Sequence, residues 1–390
     1  MSFYRGARPV VPESSNATLP SYDTLVFSGG GVKGSAYGGV LHALRKHLNI
    51  DWGLRCPAVN TIVGCSIGSI VALLLVLGYS VAEVQHVIDE AVVDSFLTIQ
   101  PVALFTKVTL GLDDGSTLRD YLANLIHNKL QCGVDVARSM TLASLCQRQK
   151  MELHISATNM NTQTLTVFKP ETHGSVSIVD AIYASCALPP IFAPIVIQDV
   201  LYADGGILDS FPISYYCDRK LLGFRLLNGV SDAVLTDLDV SSGGGPSGIT
   251  PLVRFLQSVF HLSSVPSDVA MWFALPETVR SRVITIACDG ISSLSVADLQ
   301  SKKRRLASLG EQAVLAAFEA WKTQKMPPDA MRSSLGTLPP PLQQLIEKQA
   351  CAEHICAECV ARKQGMKDPL SSATPTALDL RGHFHYSYFL

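Results

Sequence analysis

Residues 62–79, IVGCSIGSIVALLLVLGY, carry no charged side chain. A run of this length either spans a bilayer or is buried inside a fold, because its side chains offer water nothing to bind. Gly64, Ser66, Gly68 and Ser69 crowd its first half, and no basic anchor follows it closely. A buried strand turning into a buried helix therefore fits better than a membrane span. The expected strand is 60–65 and the expected helix runs from Ile67 to about Leu77.

The joint between them is Gly64-Cys65-Ser66-Ile67-Gly68, a G-x-S-x-G. A serine on such a joint sits on a sharp turn whose flanking glycines remove side chains that would clash. Its hydroxyl then stands at a helix N-terminus, where amide dipoles favour developing negative charge. The same five residues could also be a small-residue packing seam. Cys65 reads as a small packing residue whose side chain turns away from the serine.

Two further glycine clusters follow apolar strands. Gly29-Gly30-Gly31-Val32-Lys33-Gly34 comes after YDTLVFS (22–28). Bare amides there suit an oxyanion or a phosphate. Gly29, Gly31 and Gly34 fit G-x-G-x-x-G, but the next strand ends in the Gly-Cys-Ser turn and not in the acidic residue a dinucleotide site needs. Asp204-Gly205-Gly206 comes after VLYAD (200–204). Alone it reads as a turn; beside Ser66 it becomes a candidate base, provided desolvation raises its carboxyl.

Strand patterns at 22–28, 60–65, 152–159, 164–168, 193–197, 200–204, 221–226 and 282–287 alternate with helical ones. The helical segments are 32–48, 67–77, one opened by a capping box at Ser80-Val-Ala-Glu83, one from Thr117, 177–184, and one from Ser295 to about Trp321. The expected fold class is α/β: three layers, α/β/α, with a mostly parallel central sheet and a helical or irregular C-terminal appendage. The expected divisions are a flexible arm over 1–20, one domain over 21–322 and the appendage over 323–390. Hydrophobic residues at 47% supply an ample core, and a net charge of −2 leaves no global basic field for nucleic acid.

The three glycine-bearing elements, in this order, resemble the patatin-like phospholipases. The family pattern G-G-G-x-[KR]-G, then G-x-S-x-G, then D-G-[GA] is met by residues 29–34, 64–68 and 204–206. The segment SIVDAIYASCALPPIFAPIVI (177–197) is similar as well. The resemblance implies a serine acyl ester hydrolase with a Ser-Asp dyad: Ser66 as nucleophile and Asp204 as base. It implies an oxyanion hole from Gly29, Gly30, Gly31, Lys33 and Gly34, an elbow framed by Gly64 and Gly68, and a D-G-G motif completed by Gly205 and Gly206. A Ser-His-Asp triad is the mechanistic rival. Its histidine would have to be His261, His354, His383 or His385, none in an evident strand-end loop.

The expected activity is phospholipase A-type cleavage of fatty-acyl esters of membrane lipids through an acyl-enzyme, with no metal and no cofactor. The alternative is a catalytically idle relative that binds lipid or a partner. Expected partners are a phospholipid or other acyl-lipid substrate, peripheral membrane contact and a protein activator of the kind some relatives require, with no nucleic acid. The start lacks the apolar run of a signal peptide, so the expected location is cytoplasmic and peripherally membrane-associated, with the ten cysteines as free thiols. The apolar stretches 98–112 and 251–276 read as core or as an interfacial lid, and Lys302-Lys303-Arg304-Arg305 as charges spread around a helix. Cys351, His354, Cys356 and Cys359 hint at zinc, but their spacing matches no paired C-x-x-C set.

Overall fold

The computed structural model describes residues 21–48, 59–90, 111, 113–227, 271–288, 291, 299–323, 325 and 327. Their strands are β1 (Thr24–Phe27), β2 (Thr61–Cys65), β3 (Glu152–Asn159), β4 (Thr164–Phe168), β5 (Ile195–Ile197), β6 (Val200–Asp204), β7 (Leu221–Leu227) and β8 (Val283–Ala287). They form one sheet in the order β5-β6-β3-β2-β1-β7-β8, with β4 also paired to β3. The run β3-β2-β1-β7-β8 is parallel. β4 and β6 are antiparallel to β3, and β5 is antiparallel to β6.

Side chains alternate across this sheet, so each central strand feeds two cores. Leu25 and Phe27 of β1 join a large cluster with the helices α1 (Ala36–Leu48) and α2 (Ile67–Leu77), while Val26 joins Phe211, Ile213, Tyr216, Trp272, Leu275 and Val279 on the other face. The result is the expected α/β/α layering. The larger cluster also takes in α3 (Val81–Glu90), α4 (Ser116–Leu130), α5 (Ile178–Cys186) and α6 (Leu299–Lys322).

The charge-free run is strand, turn and helix. Every residue of α2 from Gly68 to Leu77 is buried, so the helix needs no polar face. Burial of each Leu, Ile or Val there contributes about 1.5–3 kcal/mol. Among the described residues, no helix is long and apolar enough to cross a membrane.

Several boundaries differ from expectation. The helix read over 32–48 opens as a 3-10 turn, Gly31–Ser35, before α1 begins. Helix α4 starts at Ser116 and not at Thr117, because the carboxylates of Asp113 and Asp114 accept the amides of Gly115 (2.6 Å) and Ser116 (2.9 Å). Short helices at Val134–Arg138 and Leu142–Gln149 were not anticipated, since too few residues separate their caps for a 3.6-residue period to register. The capping box is present: Glu83 accepts the Ser80 amide at 2.6 Å, and Ser80 Oγ accepts the Glu83 amide at 3.3 Å. Of the stretch 251–276, residues 271–276 are described, and Trp272 and Leu275 there are buried in the second core. On α6, Lys303 is buried while Arg304 and Arg305 are exposed. The arm 1–20, stretch 98–112 apart from residue 111, His261, the cap at Ser295, His354, His383, His385 and the Cys351–Cys359 cluster lie outside the described residues.

Candidate active site

Ser66 occupies the turn between β2 and α2 with φ 50° and ψ −125°, a backbone conformation that costs about 1–3 kcal/mol for a residue with a Cβ. The neighbouring glycines explain how so tight a turn fits. A Cβ on Gly68 would lie 2.5 Å from the Phe27 carbonyl oxygen and 2.6 Å from that of Ser28, and one on Gly64 would run into the Gly68 backbone. The Ser66 carbonyl accepts the Ser69 amide (2.8 Å) and the Ser69 hydroxyl (2.6 Å), which seats the serine as the N-cap of α2.

Asp204 reaches this turn through strand register. β4 covers one edge of β3 at residues 155–159. β2, paired to 152–156, and β6, paired to 157–159, must therefore share the opposite edge. They run towards each other and meet end to end: Cys65 pairs with Ser156, and Asp204 pairs with the next residue, Ala157. Asp204 is buried, and burial pushes its carboxyl up to about 7. Two neighbours pull the other way: the Gly206 amide, hydrogen-bonded at 2.7 Å, and the nearby Ser66 hydroxyl. Gly205 lies where a Cβ would come within 2.7 Å of the Ser156 carbonyl oxygen and 2.9 Å of Cys65 Sγ.

The glycine-rich loop after β1 runs beside the serine: a Cβ on Gly29 would be 3.3 Å from Ser66 Cβ. Gly31 has φ 54°. Two of the five residues expected to form an anion hole already use their amides within the fold. The Gly29 N–H donates to the Ser210 carbonyl (2.8 Å), and the Lys33 N–H donates to Gly30 (3.1 Å). Those two amides are committed to the fold. Lys33 is buried, and Gly34 packs against Ile67 at the start of α2. The loop is also tied to β7, because Ser28 Oγ accepts the Leu226 amide at 2.9 Å.

Sequence reasoning singled out none of the residues that grip this site from α5. Ser185 Oγ accepts the Ser66 amide (2.8 Å) and donates to the Ser156 carbonyl (2.6 Å). The Asp204 amide donates to the Ala187 carbonyl (2.9 Å), and the Thr158 hydroxyl donates to the Asp204 carbonyl (2.8 Å). The one signal was polar: Ser185 interrupts the apolar face of a helix just before ALPP. Cys65 does turn inward, fully buried, and donates weakly to the Asp209 carbonyl (3.7 Å). Burial and then the nearby Asp204 carboxylate hold its thiol protonated, and burial and Asp204 do the same at Cys186, which lies within hydrogen-bonding reach of Ser66 and Ser69. The described cysteines are free thiols.

Away from the site, Glu152, His154 and Glu171 bring ligand atoms within 4.8 Å of one another. His154 bonds Tyr216 (2.8 Å) and Glu152 (3.1 Å). Burial first, then Lys169 and Arg219, push its imidazole down to about 3. Two cations beside the cluster oppose a third. No histidine is among the described hydrogen-bond partners of Ser66 or Asp204.

A mostly parallel α/β/α sheet with a serine on a strained strand-to-helix turn, an aspartate at an adjoining strand end and a glycine loop alongside defines a class of α/β protein built around a serine elbow. Residues 25–215 match the profile described as Patatin-like phospholipase. A probable lipid hydrolase of Invertebrate iridescent virus 6 is 29% identical over 205 residues, covering 52% of this chain and 66% of that protein. A cGAMP-activated phospholipase of Escherichia coli (strain TW11681) is 27% identical over 207 residues, covering 50% of this chain and 54% of that protein. The chain thus spans less than two thirds of the length of these relatives. The crystal structure of VipD from Legionella pneumophila shares the fold, with TM-score 0.52 at 16% identity, covering 77% of this chain and 67% of that one.

Proposed function

We propose that this chain is a phospholipase A-type acyl hydrolase that cleaves fatty-acyl esters of membrane lipids. Ser66 Oγ attacks the ester carbonyl carbon while its proton passes to Asp204. Amides of the glycine loop around Gly30 and Gly31 hold the oxyanion. Collapse breaks the carbon–oxygen bond, and the leaving alcohol takes the proton back from Asp204. Water then attacks the acyl-enzyme, giving its proton to Asp204, and the fatty acid leaves as Ser66 recovers its own. Water is the sole co-reactant.

The observation that carries this reading is the end-on meeting of β2 and β6, with the Ser66 hydroxyl against a buried carboxyl raised to about 7. A base with that affinity is half ionised near neutrality, where it combines availability with driving force. The domain we assign to this chemistry is 21–322, and the substrate is met at a membrane surface by peripheral contact. A protein activator is an additional element of the proposal.

The test is mass spectrometry of fatty acids released from phosphatidylcholine–phosphatidylglycerol vesicles, with and without cell lysate as a source of activator. Wild type should release fatty acid; Ser66→Ala and Asp204→Asn should not. Release by Ser66→Ala at the wild-type rate would sink the mechanism. No release by wild type in either condition would favour an idle lipid-binding relative. Loss of turnover on replacing His261, His354, His383 or His385 alone would require a triad in place of the dyad.

A further inference from the structure

We infer that Ser185-Cys186-Ala187, at the end of α5, is a clamp that sets the spacing of Ser66 and Asp204, and that the Ser185 hydroxyl is its positioning group. This inference rests on the acyl-hydrolase reading of that pair. Three consecutive residues hold both partners. Ser185 Oγ takes the Ser66 amide at 2.8 Å, and the Ala187 carbonyl takes the Asp204 amide at 2.9 Å. Between them, the Cys186 thiol is close enough to Asp204 to feel its charge and within hydrogen-bonding reach of the Ser66 hydroxyl.

Ser185 is fully buried, and its proton assignment is forced. A hydroxyl has one proton and two acceptor lone pairs. The proton goes to the Ser156 carbonyl at 2.6 Å, so the Ser66 N–H must be accepted by a lone pair. One hydroxyl thereby ties the elbow to the position of β3 next to Ala157, the residue that registers Asp204. The Ser66 backbone, held at φ 50°, would otherwise relax towards a less strained geometry. Such a relaxation would alter the spacing of the hydroxyl and the carboxyl. The bond also withdraws the Ser66 amide from any role as an anion donor, leaving that task to the loop.

A positioning role predicts a specific kinetic pattern. The full-length protein is treated with a fluorophosphonate that labels active serines, and labelling is resolved into kinact and KI. In Ser185→Ala the Ser66 amide loses a buried acceptor, and kinact should fall about 10- to 100-fold with KI unchanged within about twofold. Tyr79→Phe is the control. It removes a buried hydroxyl bonded to the Leu125 carbonyl (2.8 Å), remote from Ser66, and should lower the melting temperature without lowering kinact. If Ser185→Ala does not fold, Ser185→Cys is read instead: similar in shape, a weak acceptor, and expected to lower kinact in the same direction. A wild-type kinact in the folded Ser185 variant overturns the clamp alone. An equal fall of kinact in Tyr79→Phe at matched stability loss also overturns it, since the effect would then be one of stability. Failure of wild type to label either with or without cell lysate overturns the hydrolase reading, and the clamp with it.

Discussion

Cys65 and Asp204 pair with consecutive residues of β3, Ser156 and Ala157, on the same edge of that strand. The C-terminal ends of β2 and β6 therefore abut, and the residue after Cys65 is Ser66. An ordinary parallel sheet presents a row of side-by-side strand ends. Here an antiparallel strand comes in head-on and brings a carboxylate to the tip of its neighbour. The arrangement also buries that carboxylate, which is what raises its proton affinity.

The first consequence is a pH profile. In the proposed mechanism Asp204 must be ionised to accept the serine proton, and its carboxyl is raised to about 7 by burial. The kcat/KM for a soluble ester should rise tenfold per pH unit below that value and level off above it. A profile already flat from pH 5 would show that Asp204 is not the base.

The second concerns stability. The folded chain holds the Asp204 proton up to about pH 7, whereas an unfolded aspartate releases it near 3.8. Between those values the folded state binds more protons, so stability from this group is full below about pH 4 and is lost as pH rises through 7. At about 1.36 kcal/mol per pH unit the loss is on the order of 4 kcal/mol. Asp204→Asn should therefore be more stable than wild type at pH 8 and equal to it at pH 3.5, while hydrolysis disappears. Urea melts at the two pH values decide this, and equal destabilisation at both would refute the buried-charge account.

The third compares two glycines. In Gly68→Ala the added Cβ meets the carbonyl oxygens of Phe27 and Ser28 at 2.5 and 2.6 Å, backbone at and just past the end of β1. The loss should be roughly 3 kcal/mol or more, with hydrolysis abolished. In Gly78→Ala, at φ 84° with open space around it, only the left-handed backbone is strained, for about 1 kcal/mol. Activity there should stay within about twofold. Equal melting temperatures for the two variants would contradict the packing of the elbow.

The fourth concerns the membrane. With a net charge of −2, attraction to anionic lipid must come from local basic patches such as the exposed Arg304 and Arg305. Flotation with anionic vesicles should be evident at low salt and weaken as salt rises. Retention of binding in high salt would point to apolar insertion instead.

Much of the architecture was readable from local pattern, because burial imposes it locally. The run 62–79 could only be strand, turn and helix once a membrane span was set aside, and the glycines around Ser66 marked the turn. The strands and longer helices followed from periodicity; the short helices at Val134–Arg138 and Leu142–Gln149 escaped it. Candidate residues at 29–34, 64–68 and 204–206 could be named because each motif lies within a few neighbours in the chain.

What no local reading could supply was which of them meet. That Asp204 faces the Ser66 turn depends on β6 sharing an edge of β3 with β2, a pairing between distant segments that leaves no mark in either strand. Nor could local pattern show that the amides of Gly29 and Lys33 are already used, or that Ser185 and Ala187 grip the two strand ends. Hydrogen bonds between distant segments form only when the whole sheet closes. The chain alone thus determined which chemical groups were available, and tertiary packing decided which of them stand together, how deeply they are buried and what proton affinity that burial imposes.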